Sequence, residues 1–165
     1  GGLPLAAYGG RRDLMSMVAP DGPVYQAGTL SGNPLATAAG LATLRVLIEE
    51  DPYRELESAG AALVNILEGG ARSAGLELSV NRVGSMLTPF VNRGPVTDYA
   101  SARASDTAAY ARFFHQLLKA GVYVPPSQFE SWFISTPLAR SGMERLSERI
   151  VGAFAGSKRS DREFD

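Results

Sequence analysis

The second part of the sequence predicts a small α+β domain, with helices on a mostly antiparallel sheet. Three observations carry this. Apolar residues recur at helical spacing from about Tyr53 to Ser73, after Asp106, and again after Ser141. Between those helices lie short stretches, LELSVN, SMLTPFV, VYV and SWFIS, that read as strands. The resulting order is helix, strand, strand, helix, strand, strand, helix, which fits an α+β layer.

Composition sets the bounds. With 45% apolar and 20% charged residues among 165, the chain is globular rather than disordered. Sixteen Lys and Arg face 17 Asp and Glu, so nothing favours nucleic-acid binding through phosphate neutralisation. No apolar run approaches a membrane span, and GGLPLAAYGGRR lacks the pattern of a signal peptide. Cys is absent and there is one His, which argues against disulfides, thiolate chemistry and a multi-histidine metal site. The expectation is a soluble, cytoplasmic protein without membrane or nucleic-acid partners. The opening GG without Met suggests a fragment or a processed product.

The elements follow in order. A short strand is expected near PLAAYGG and a short helix over RRDLMSMV. APDGPVYQAGTLSGN is a fifteen-residue loop, and loops of that length in compact domains are usually functional or disordered. Asn33 then N-caps a helix with Pro34 at its first position. Leu41, Leu44 and Ile48 follow at helical spacing, while Ala36, Ala39, Gly40 and Thr43 form a small-residue face. That face suits either burial against a sheet or a tight subunit contact. EEDP ends the helix and marks a boundary, giving units of 1–52 and 53–156 and a flexible tail over 157–165.

In the second unit, a helix carries Leu56, Leu63, Ile66 and Leu67 on one face and stops at Gly75. LELSVN alternates as a half-buried strand and RVG joins it to SMLTPFV, whose Pro89 places that strand at an edge or a bulge. NRGPVTDYASARAS is a polar loop. Asp106 caps a helix with Tyr110, Phe113, Phe114, Leu117 and Leu118 on one face, ended by Gly121. PPSQFE breaks the strand VYV, and SWFIS returns antiparallel to it. Ser141 and Glu144 form a capping box for a last helix with Leu146, Ile150 and Phe154 inward.

The stretch QAGTLSGNP, residues 26–34, is the chemical focus. Gly28 and Gly32 permit unusual dihedrals, Thr29 and Ser31 bring hydroxyls, and successive N–H groups in such a turn can form an anion nest. The helix that follows adds its dipole. On these residues alone, a glycine-rich turn whose hydroxyls cap the helix is the stronger reading.

A resemblance shifts that balance. The stretches GGLPLAAYGGRRDLMSMVAPDGPVYQAGTLSGNPLATAAGLATL, VNRVGSMLTPFV and FFHQLLKAGVYVPPSQFESWFIS together resemble the class III, fold-type I family dependent on pyridoxal phosphate (PLP), and most closely its glutamate-1-semialdehyde aminomutase branch. The resemblance covers nearly all of residues 1–155. It implies the α/β tail of a fold-type I PLP-binding large domain followed by a small C-terminal α+β domain, in a homodimer. In such dimers a Thr of the G-T-x-x-G-N-P turn binds the phosphate of PLP (or pyridoxamine phosphate) held mainly by the other subunit. By position this is Thr29, assisted by the backbone at Gly28. The implied reaction turns glutamate-1-semialdehyde into 5-aminolevulinate, a tetrapyrrole precursor.

The same resemblance identifies what is missing. The family's Schiff-base lysine lies in a K-x-x-G-G-G pattern, which would fall just before Gly1. Neither Lys119 nor Lys158 matches it. The isolated chain is therefore expected to be inactive. Glu130 of PSQFE is implied at the mouth of the active site, as an electrostatic partner for a substrate-side arginine. Ser127 and Gln128 are expected to shape that turn, Trp132 to pack in the core, His115 to lie at the surface, and Arg11 and Arg12 to make surface or interface contacts. STPLARSG replaces a common S-x-A-H-T and Pro89 interrupts an apolar strand; both departures leave an aminotransferase of the same class as the alternative, alongside a truncated, non-catalytic dimerisation domain.

Overall fold

The computed structural model describes residues 2–157. Its elements are α1 (Arg12–Met15), α2 (Pro34–Glu50), α3 (Tyr53–Ser73), β1 (Leu78–Val83), β2 (Met86–Val91), α4 (Tyr99–Arg103), α5 (Thr107–Lys119), β3 (Trp132–Phe133), α6 (Thr136–Ser141) and α7 (Met143–Ser157). The chain divides into two compact units between Asp51 and Pro52. Asp51 itself takes a left-handed conformation, φ 38°, as the C-cap of α2.

The first unit consists of two helices and loops. Residues 2–10 are exposed and irregular, so the strand expected near PLAAYGG does not form. A strand needs a ladder partner for its backbone groups, and no described strand lies beside this segment. Residues 17–24 fold back on themselves: the Val24 N–H donates to the Met17 carbonyl at 2.8 Å and the Ala19 N–H to the Val24 carbonyl at 2.9 Å. Leu5 packs against α2 at Gly40, where its Cδ2 fills the space that a Cβ would take. The opposite face leaves Leu41, Leu44 and Ile48 exposed.

The second unit has a three-stranded antiparallel sheet in the order β1-β2-β3. The fold class expected from the sequence is the one observed. The core gathers Leu63 and Leu67 of α3, Phe113 and Leu117 of α5, Ile150 and Phe154 of α7, and Leu87 and Trp132 from the sheet. Phe113 stacks on Phe154 with ring centroids 4.0 Å apart. Both long helices before the last end in Schellman motifs. At α3 the Leu76 N–H reaches the Ala71 carbonyl and Gly75 stands at φ 72°. At α5 the Val122 N–H reaches the Leu117 carbonyl and Gly121 stands at φ 75°. Glycine fits both positions because a side chain there is strained.

Those caps explain two departures from the sequence expectation. Val122 is committed to closing α5, so VYV forms no strand, and β3 pairs with β2 instead. Leu76 closes α3 in the same way, so the first strand begins at Leu78. Three further details differ. Arg82 and Val83 extend β1, leaving Gly84-Ser85 as a two-residue hairpin loop with Gly84 at φ 58°. The loop 92–105 contains α4, closed by a capping box between Asp98 and Ser101. Ser141 does not cap α7: it ends α6, where its hydroxyl donates back to the Pro137 carbonyl at 3.1 Å. Of the tail, Ser157 is the buried last residue of α7, and 158–165, with Lys158, lie outside the described residues.

Pro89 is placed neither at an outer strand nor at a bulge, since β2 is the middle strand and its register with β1 is unbroken. The proline is tolerated because β3 pairs only with Met86 and Leu87. The Val91 N–H points away from β1, and by strand alternation so does the nitrogen of Pro89. At that position β2 has no strand on its second side, and no ladder hydrogen bond is lost.

Glycines within α3 give a direct test of the packing. A Cβ on Gly70 would lie 2.7 Å from Phe154 Cδ2, whereas one on Gly69 would meet nothing within 4 Å. Gly69→Ala is therefore expected to raise stability by about 0.5–1 kcal/mol through helix propensity. Gly70→Ala is expected to lower it by about 1–3 kcal/mol through overpacking. Urea unfolding midpoints of the two variants should move in opposite directions.

Candidate functional site

The loop before α2 is shaped by its own backbone. The Ser31 N–H donates to the Gly28 carbonyl at 3.0 Å and the Asn33 N–H to the Leu30 carbonyl at 3.0 Å. Gly32 sits at φ 72°, and a Cβ on Gly28 would come within 2.9 Å of Ser31 Oγ. The backbone of Gly32 therefore requires glycine, whereas a side chain at Gly28 would need only the Ser31 hydroxyl to turn away.

The end of α2 is closed by a different residue. Asn33 Oδ1 accepts from the N–H groups of Leu35 and Ala36, each at 3.1 Å, and Pro34 has no N–H. The Thr37 N–H is held by the Asn33 carbonyl at 2.9 Å. The helix terminus thus has no spare donor to offer, contrary to the expectation that its dipole end would assist an anion. The hydroxyls of Thr29 and Ser31 are not caps either. No hydrogen bond occupies them among the described residues, nor the backbone N–H groups of Gly28, Thr29, Leu30 and Gly32. Thr29 and its neighbours are exposed. The turn thus offers four unoccupied backbone N–H donors and two hydroxyls that can also donate, a set whose chemistry fits a phosphate oxygen.

Glu130 belongs to the other unit, on the turn between α5 and β3. That turn is tied down at three points. Tyr110 Oη donates to the Pro125 carbonyl at 2.7 Å and accepts from Trp132 Nε1 at 3.3 Å. Gln128 is buried, 1% exposed, and its Oε1 accepts from the Val91 N–H at 3.2 Å. The Ser131 and Thr88 hydroxyls share a hydrogen bond at 3.2 Å. Within the turn, Ser127 Oγ accepts from the Phe129 N–H and the Ser127 carbonyl from the Glu130 N–H, both at 3.2 Å. Phe129 and Glu130 are left exposed, and the Glu130 carboxylate makes no hydrogen bond or ion pair among the described residues. Burial pushes the Tyr110 hydroxyl up to about 12, and the nearby Glu130 charge adds to this against the opposing Trp132 hydrogen bond.

Gln128 Nε2 is buried without a hydrogen-bond partner among the described residues. Leaving a buried amide donor unpaired costs about 1–3 kcal/mol. The sequence reading treats Gln128 as a turn-shaping residue and does not anticipate this burial. Pro89 is the only sequence signal that points to it, because it marks where β2 lacks a strand partner. The remaining candidates fall out simply. Trp132 is in the core, His115 and Lys119 are exposed on α5, and Arg11 pairs with Asp13 at 2.6 Å on the surface. Among the described residues no group of His, Asp and Glu could hold a metal, and no helix is long and apolar enough to cross a membrane.

The family described as aminotransferase class-III matches residues 1–150. The glutamate-1-semialdehyde 2,1-aminomutase of Pelotomaculum thermopropionicum is 54% identical over 154 residues, which is 93% of this chain and 36% of that protein. The chain thus spans about a third of the length of the curated relatives it matches. Among solved structures, a β-phenylalanine aminotransferase from Variovorax paradoxus superposes with a TM-score of 0.75 at 28% identity, over 90% of this chain and 34% of that one. The FumI protein of Sphingopyxis sp. MTA144, in its PLP form, superposes with a TM-score of 0.68 at 27% identity, over 86% of this chain and 31% of that one.

Two measurements separate architecture from chemistry here. Asn33→Ala should speed amide exchange in the first turn of α2 about fivefold, as loss of an N-cap worth about 1 kcal/mol requires, whereas Thr29→Ala should leave it unchanged. At alkaline pH the unfolded state loses the Tyr110 proton near the ordinary tyrosine value of 10.0, while the fold holds it to about 12. Stability should therefore fall as pH rises from 10 to 12, by up to about 1.4 kcal/mol per unit from this group, and Tyr110→Phe should flatten that slope in denaturant titrations.

Proposed function

The chain belongs to the class-III aminotransferase family, and on that premise we propose that it forms the C-terminal portion of a PLP-dependent glutamate-1-semialdehyde 2,1-aminomutase. The observation that carries this reading is the unspent donor set of the 28–32 loop, in a chain 54% identical to a protein of that name. Thr29, with the backbone N–H groups of Gly28 and Thr29, binds the cofactor phosphate of the neighbouring subunit in a homodimer. PLP, when bound, supplies the amino-group carrier that the rearrangement needs. Glu130 contributes negative charge at the substrate side, where it balances a cationic group of the parent protein. No lysine here fits the family's K-x-x-G-G-G pattern, so this chain contributes binding and orientation, while proton transfer belongs to the parent's lysine. The units follow as residues 1–52 of the cofactor domain and 53–156 of the small domain.

The intact parent protein is expected to form 5-aminolevulinate from glutamate-1-semialdehyde with no added amino donor or acceptor. An absolute need for an external donor would instead make it an aminotransferase of the same class. Thr29→Ala in the parent should weaken retention of the cofactor about ten- to hundredfold, the loss expected for one hydrogen bond to a charged oxygen. Unchanged retention, measured by equilibrium dialysis, would remove Thr29 from the phosphate site.

A further inference from the structure

We propose that Gln128 is a positioning residue for Glu130: its amide takes the place of a third strand at Val91 and so fixes the direction in which residues 127–131 present the Glu130 carboxylate. The proposal rests on the reading of Glu130 as a substrate-side group. Its physical basis is the incomplete pairing of β2. β3 ends its pairing at Leu87, yet the Val91 N–H still points to that side and is buried. Gln128 Oε1 satisfies it, and the amide orientation is unambiguous because only the oxygen can accept from an N–H.

The geometry of the turn makes this anchor matter for Glu130. Gln128 is the only residue between Ser127 and Glu130 whose side chain enters the interior, since Phe129 is 53% exposed. The backbone bond from Glu130 N–H to the Ser127 carbonyl spans Gln128, so a shift of its side chain moves both ends of that bond. The flanking ties, Tyr110 to Pro125 and Ser131 to Thr88, hold the ends of the turn but not its middle. Gln128 also keeps Nε2 buried without a partner, a feature that shape alone does not require and that an apolar side chain of equal length would avoid.

The test is a double-mutant cycle in the intact parent enzyme, read as KM and kcat for glutamate-1-semialdehyde. Glu130→Gln is expected to raise KM about tenfold. Gln128→Met keeps the length and loses the acceptor, and it is expected to raise KM by a similar factor with kcat within about twofold. If Gln128 acts through Glu130, the double variant is no worse than either single one. Multiplying effects would overturn the inference while leaving Glu130 at the substrate. A raised KM in Gln128→Met with none in Glu130→Gln would sink both readings, as would no change in either. Gln128→Glu, whose carboxyl burial keeps protonated, retains an acceptor for the Val91 N–H and should hold KM near normal, and an equal defect there would rule out the Val91 bond as the cause. Should Gln128→Met fail to fold, Gln128→Asn, one methylene too short to reach Val91, takes its place in the cycle against Gln128→Glu.

Discussion

Beyond Leu87 the middle strand β2 has a strand on one side only, and its buried backbone on the other side has to be satisfied by loops. Three residues do this. Pro89 presents no N–H at all and is fully buried. Gln128 takes the Val91 N–H, and the Asp106 N–H takes the Val91 carbonyl at 2.8 Å. Each of these has a consequence elsewhere. Asp106 is also the N-cap of α5, its carboxylate accepting from Ala109 N–H at 2.9 Å, so the bond to Val91 sets the start of that helix relative to the sheet. From that start, Tyr110, Phe113 and Leu117 fall inward, where Phe113 meets Phe154 of α7. The aromatic core and the turn bearing Glu130 are thereby referred to the same short stretch of open strand edge.

What could be read from the sequence was what depends on neighbours in the chain. Asn33-Pro34, Asp106, Gly75 and Gly121 mark helix ends because caps and left-handed glycines act within one turn. The inward faces of α3, α5 and α7 follow from spacing alone. The errors occur where two local demands compete for one group. Val122 could begin a strand or close α5, and it closes α5. Ser141 could open α7 or end α6, and it ends α6. The order of strands was beyond local reasoning, since nothing in SWFIS says whether it pairs with VYV or with SMLTPFV. Pro89 points to an edge or a bulge when read locally, and it lies at neither: the pairing is incomplete within the middle strand, which only the short length of β3 explains.

The candidate sites differ in how they could be found. The loop at 28–32 looked ambiguous while its hydroxyls could serve as helix caps. The structure assigns capping to Asn33 and leaves Thr29 and Ser31 unoccupied. The sequence could not settle this, because Asn, Ser and Thr are all good caps and three of them stand within five residues. Glu130 carried little physical signal in the sequence, as an acidic residue on a turn is ordinary. Its setting is not ordinary: a carboxylate left free at the crest of a turn held by Tyr110, Gln128 and Ser131.

The two units hold their sites by different means. The second unit has an aromatic and aliphatic core, so Glu130 is oriented by side chains that are themselves packed. In the first unit Ala36 is the only apolar side chain among the described residues that is fully buried. Burial of that extent contributes little, and the shape of the 28–32 loop must come from local terms: two i to i+3 backbone bonds, the positive φ of Gly32, and the Asn33 cap. A loop fixed in that way keeps its donors pointing outward whatever covers the exposed leucines of α2. That is the property a phosphate grip needs if it is to serve a cofactor held by a neighbouring subunit, because its geometry then does not depend on the packing of the chain that carries it.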